Sequence, residues 1–164
     1  MTLKMTDLAG RGCLPYAHKI QRGLGAVVLG ALLAGCAGPS FTYADYEQKA
    51  VQTADDADSA VQTARLAARV AVERKATGQY LDVLFTDVET QVGDVEDVFN
   101  SVQPPDGRAD GLRQELGDLL GETSDVLARL RIEVRRGNLG DLAEVARPLA
   151  DLHEKLDQFV TEHR

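Results

Sequence analysis

Small apolar residues stand at Ala50, Ala54, Ala57, Val61, Ala64, Ala68 and Ala71, in steps that alternate between four and three. That spacing gathers all seven on one side of an α-helix, because about 3.6 residues complete a turn. A half-buried strand would need period two, and no stretch of the chain shows convincing alternation of that kind. The seam is narrow and mostly alanine, so a neighbouring helix can approach it closely. Thr42-Tyr43-Ala44-Asp45 has the form of a capping box with Asp in place of Glu, a helix start signal. Gly78 is the expected stop. A helix over 42–77 results, roughly 50 Å long at 1.5 Å per residue.

Three further helical patterns follow. Leu81, Leu84, Val88, Val92, Val95, Phe99 and Val102 mark a second helix over 80–103. Its valines and Gly93 lower intrinsic propensity, so packing has to hold it helical. Pro104-Pro105-Asp106-Gly107 closes it, since proline cannot continue the hydrogen-bond ladder. Leu112, Leu116, Leu119, Val126, Leu130 and Val134 mark a third helix over 108–136. It ends in Arg135-Arg136-Gly137-Asn138, with cations and a glycine where a C-terminus favours them. The fourth, over 139–163, runs through Leu139, Leu142, Val145, Leu149, Leu152, Leu156 and Phe159, and Pro148 should kink or split it. Short turns between amphipathic helices predict an all-α, up-and-down antiparallel four-helix bundle with a long first helix. Part of that helix is expected to overhang as a stalk. The competing arrangement is a three-helix packing with helix one partly detached.

Charge divides the chain differently. Lys4, Arg11, Lys19 and Arg22 against Asp7 leave residues 1–35 at about +3. From Cys36 onward, 14 basic side chains face 25 acidic ones, a net of about −11. Phosphate backbones would repel this body at long range, so nucleic acid is not an expected partner. An anionic membrane would not attract it either. The basic lead runs into residues 23–35, GLGAVVLGALLAG, apolar over about 13 residues. That is too short to span hydrocarbon as a helix, which takes about 20. A charged lead, a short apolar core and small residues at its end are the order of a secretory signal, assigned to residues 1–35.

Leu33-Ala34-Gly35-Cys36, placed directly after the apolar core, resembles the lipobox of bacterial lipoproteins. The resemblance covers the signal and the cysteine alone. It implies cleavage between Gly35 and Cys36, and acylation of the Cys36 sulfur, with palmitate-type chains anchoring the protein to the membrane. Ala34 and Gly35 are small, as a peptidase cleft requires beside the bond it cuts. The lead of 22 residues is long for this family and favours Met5 over Met1 as the start of translation. Cys13, the other cysteine, falls within the removed signal, so the mature chain has no internal disulfide. Each buried CH2 contributes about 0.8 kcal/mol, and several acyl chains are needed for durable anchoring. Residues 36–41 form the acylated cysteine and a short tether, and residues 42–164 the bundle.

Catalytic chemistry is hard to place on what remains. A nucleophile needs a base beside it and a third group to orient that base. Beyond Cys36 the titratable candidates are His153 and His163. His153 follows Leu152 and reads as a solvated residue off the buried seam. A di-metal bundle would need Glu three residues before each histidine, where Ala150 and Val160 stand. Asp55-Asp56-Ala57-Asp58 lacks the glycine and twelfth-place glutamate of a calcium loop. Asp94, Glu96 and Asp97 sit at helical spacing on a face expected to be solvated. The turn PPDGRADG, 104–111, lacks the Gly-Lys-Ser/Thr ending of a phosphate loop, and exposed Arg108 is its one candidate contact. No catalytic residue, metal or cofactor is expected.

The resulting expectation is a lipid-anchored, non-enzymatic envelope protein whose bundle contacts another envelope protein. It would face outward from the cell membrane or, where there are two membranes, sit on the outer one, since Ala37 after the cysteine resembles the lipoproteins sent there. The alternative is a carrier holding a small apolar ligand in the bundle interior. The alanine seam weighs against that, since small side chains draw helices together.

Overall fold

Thr42 caps the first helix as its sequence predicts. Its Oγ1 accepts from the Asp45 N–H at 3.1 Å, while the Asp45 carboxylate accepts from the Thr42 N–H at 3.2 Å. Two orphan donors are thereby satisfied, an arrangement that contributes about 1 kcal/mol. The computed structural model describes residues 42–164. Leu33-Ala34-Gly35-Cys36, the signal before it and the tether after it lie outside the described residues.

Helix α1 spans Tyr43–Val72, 30 residues, and not 42–77. Arg74 ends it by adopting a left-handed conformation, φ 56°. The Arg74 N–H then reaches the Ala71 carbonyl and the Lys75 N–H the Val70 carbonyl, both at 2.9 Å. This is the Schellman closure with arginine where glycine usually stands. Gly78, the expected stop, instead opens α2 (Gly78–Ser101), which Thr77 caps through the Tyr80 N–H. Helix α3 (Ala109–Arg136) closes by the same bonding pattern, here with Gly137 at φ 80°.

Pro148 splits the fourth helix. A 3-10 turn (Leu139–Asp141) leads into a single turn, α4 (Leu142–Val145), and then α5 (Pro148–His163) begins with the proline at its first turn. Proline is welcome there because the missing N–H would have no intrahelical partner anyway.

Among the described residues there is no strand, and the architecture is an all-α helical bundle. Helix α1 packs against α2, α3 and α5. Directions follow from which side chains meet. Tyr46 near the start of α1 meets Phe99 near the end of α2, ring centroids 5.3 Å apart, so these helices are antiparallel. Arg135 and Arg131 of α3 meet Asp82 and Glu89 of α2, again antiparallel. His153 and His163 of α5 meet Asp58 and Glu47 of α1. Arg108, just before α3, sits over the Tyr43 ring, so α1 and α3 run parallel.

All seven seam residues of α1 are buried. So are Tyr46, Val51, Thr53, Ala60 and Ala67, which makes the buried surface wider than a seam. The reason is that three helices, not one, lie against α1. Burial runs from Tyr46 to Ala71, so no part of the helix overhangs as a stalk and it is not detached. Phenylalanine and leucine from the other helices fill the space its alanines leave, with Phe85, Phe99, Leu116, Leu127, Leu156 and Phe159 among the fully enclosed. No described helix is long and apolar enough to cross a membrane.

Candidate functional site

The antiparallel arrangement sorts the charges. Cross-helix pairs Asp58–His153 and Glu122–Lys155 mark the middle of the bundle. On one side lie residues 62–89 and 125–152, with 9 basic and 9 acidic side chains. On the other lie 42–61, 90–124 and 153–164, with 5 basic and 16 acidic. The entire net charge therefore belongs to one half, the half in which α1 begins. The other half is balanced.

His153 is not a solvated surface group. It is half-buried, with Nδ1 2.7 Å from Asp58 Oδ1 and the Gln62 amide nitrogen 2.9 Å from Nδ1. The pair bolts α5 to α1. A carboxylate orienting an imidazole is the supporting part of a catalytic triad, but here the second ring nitrogen faces the same Gln62 amide, at 3.0 Å. His163 forms a second bolt, with Nδ1 3.1 Å from Glu47 Oε1 and its ring tilted 48° against Phe159, centroids 4.6 Å apart.

The acidic run Asp55-Asp56-Ala57-Asp58 is pulled apart by the helix. Ala57 enters the core, Asp58 takes His153, Asp55 approaches Arg164 at 3.4 Å, and Asp56 faces water. Asp94 and Asp97 are exposed and Glu96 half-buried. Among the described residues no three His, Cys, Asp or Glu side chains converge as metal ligands would. Arg108 is exposed as expected, but Asp106 holds it through Nη2–Oδ2 at 2.7 Å, and this bond keeps the Asp106 carboxyl below its ordinary range.

Tyr46 is the one buried side chain among the described residues whose polar atom lacks a hydrogen-bond partner. Burial pushes its phenol above the ordinary value, while the nearby Arg113 charge opposes that rise. An unmade hydrogen bond of this kind costs about 1–3 kcal/mol.

Three surface grooves differ in charge. One of about 510 Å³, between α3 and α5 in the acidic half, is lined by Glu115, Asp118, Glu122 and Lys155. One of about 310 Å³, between α2 and α3, holds Arg131 and Arg135, which Glu89 and Asp82 neutralise. The third, of about 500 Å³, lies between α1 and the break before α5. Gln62, Arg65, Arg69 and Arg147 line it over a floor of alanines, with no carboxylate in its wall. Sequence reading passed over this site. The four-residue step from Arg65 to Arg69 places both on one helix face, but Arg147 is distant in sequence and joins them only through the fold. Comparison with known proteins matches the chain to no family model, no curated protein and no solved structure.

Proposed function

We propose that this chain is a lipid-anchored cell-envelope protein, non-enzymatic, whose bundle contacts another envelope component through its charge-balanced half. The observation that carries the reading is Leu33-Ala34-Gly35-Cys36, directly after thirteen apolar residues. Acyl chains on Cys36 would supply the hold that the protein's charge opposes. Helix α1 begins at Tyr43, seven residues past Cys36, so the acidic half is the one next to the anchor in sequence. The intervening chain reaches about 20 Å when extended, at roughly 3.5 Å per residue. Repulsion between carboxylates and an anionic leaflet acts within about a Debye length, 8–10 Å at cellular salt. Attachment through the end that carries the carboxylates leaves the balanced end outward, while their repulsion from the leaflet holds the body off the surface. That end offers exposed arginines and the apolar side chains Leu66 and Val83.

Substitution of Cys36→Ser tests the anchor. The wild-type chain should incorporate radiolabelled palmitate, lose the leader and sediment with membranes. The variant should do none of these. Equal labelling of the variant, or a wild-type chain that stays in the soluble fraction with no lipid mass, contradicts the anchor.

A further inference from the structure

We infer that the groove between α1 and the break before α5 is an oxyanion site for a phosphate-bearing ligand. Arg65 and Arg69 stand one turn apart on α1, and Arg147 faces them from the residue before Pro148. Three arginines thus line one space of about 500 Å³. The fold supplies that space with alanines: Ala68 on α1 and Ala146 and Ala150 beside the break form a low floor, so the arginine heads rise around a hollow. Gln62 closes the end nearest His153, its amide nitrogen facing the imidazole.

Two of the cations are already positioned. Glu144 holds Arg147 from three residues back and offsets part of its charge, so an anion there competes with that carboxylate, and the Gln62 side-chain oxygen accepts from Arg65 Nη1 at 3.3 Å. Arg69 makes no ion pair among the described residues, though the Glu73 carboxyl feels its charge. Phosphate suits such a ring better than a lone carboxylate. It brings up to two negative charges and three acceptor oxygens, and guanidinium forks bind it in pairs of parallel bonds. Placement in the balanced half matters as well, since an anion approaching the other half would meet 16 carboxylates against 5 cations. The same excess disfavours a long polyanion, which would have to cross it. The site does not depend on acylation at Cys36.

The test uses the full chain in a neutral detergent, with two probes. Calorimetry with glycerol phosphate asks about a soluble phosphate, and calorimetry with phosphatidic acid in the same detergent micelles, against phosphatidylcholine, asks about a lipid headgroup. Saturable binding in either arm is expected, and it should weaken about tenfold or more when Arg69→Gln and Arg147→Gln are combined. Arg135→Gln, in the neutralised groove, should leave it unchanged. These side chains are exposed, so melting curves should coincide, and the single reversal Arg69→Glu should repeat the loss in an independently folded variant. Binding of glycerol phosphate identifies a soluble ligand; binding of micellar phosphatidic acid alone identifies a headgroup. No binding in either arm, or equal weakening by Arg135→Gln, overturns the site.

Discussion

The two halves of this bundle share the same helices and core and differ in what their surfaces carry. In the balanced half, ion pairs bridge helices: Arg131 to Glu89 and Arg135 to Asp82. In the acidic half, histidine–carboxylate pairs, Asp58–His153 and Glu47–His163, join Lys155–Glu122 and Arg164–Asp55 as bridges, and carboxylates outnumber lysines and arginines 16 to 5. One packing scheme thus supports two electrostatic regimes. The interior sets the fold, and the surface is free to be specialised end by end.

The largest effect should come from the interior that both halves share. Ala57 is fully enclosed at the contact of α1 with its neighbours, so Ala57→Leu should destabilise by about 2–3 kcal/mol or more in urea unfolding, because a packed seam cannot admit three more carbons. A loss under 0.5 kcal/mol would mean the seam is loosely packed. Tyr46→Phe tests the acidic half. Removing a hydroxyl with no partner should stabilise by about 1 kcal/mol. Destabilisation instead would show that the hydroxyl finds a partner.

The helix ends of the balanced half come next. Gly137→Ala forces a side chain into φ 80° and should cost about 1 kcal/mol. Gly78→Ala should be nearly neutral, since an added Cβ there meets only Leu139 Cδ1 at 3.9 Å, an ordinary contact. The smallest effect concerns charge itself. Asp94→Asn with Asp97→Asn should stabilise by a few tenths of a kcal/mol at low salt and less at high salt. The matching change in the balanced half, Asp125→Asn with Glu144→Gln, should give no gain. Equal gains from both would erase the distinction.

Acid should act in both halves. Asn138 and Arg136 hold the Glu133 carboxyl below its ordinary value of 4.5, and Arg108 holds Asp106 below 3.8. A lowered folded value means the stabilisation is complete above the ordinary value and is lost as pH falls through the folded one. Glu133→Gln should therefore lower stability at neutral pH, leave it nearly unchanged at low pH, and so flatten the acid side of the stability profile.

Much of this architecture is legible in the chain. The seam of α1, the leucines of α3 and the break at Pro148 all follow from periodicity and proline chemistry. The end of α1 does not. A glycine at 78 advertises a stop, while nothing in Arg74 announces that an arginine will take the left-handed position. Its own helix makes His153 a surface residue, and its partner in the fold is Asp58, 95 residues away. The charge halves are hidden for the same reason. Carboxylates at 45–58, 94–118 and 154–162 are scattered in sequence and become one surface only when the helices turn back on each other.

Three exposed apolar positions allow the outward-facing end to be examined in cells. Leu66 and Val83, 53% and 60% exposed, lie in the balanced half; Val98, 65% exposed, lies in the acidic half. A photocrosslinking amino acid at each, in the full-length chain, should capture an envelope protein from Leu66 or Val83 and leave Val98 at background. Capture from Val98 with silence at the other two would contradict the proposed orientation.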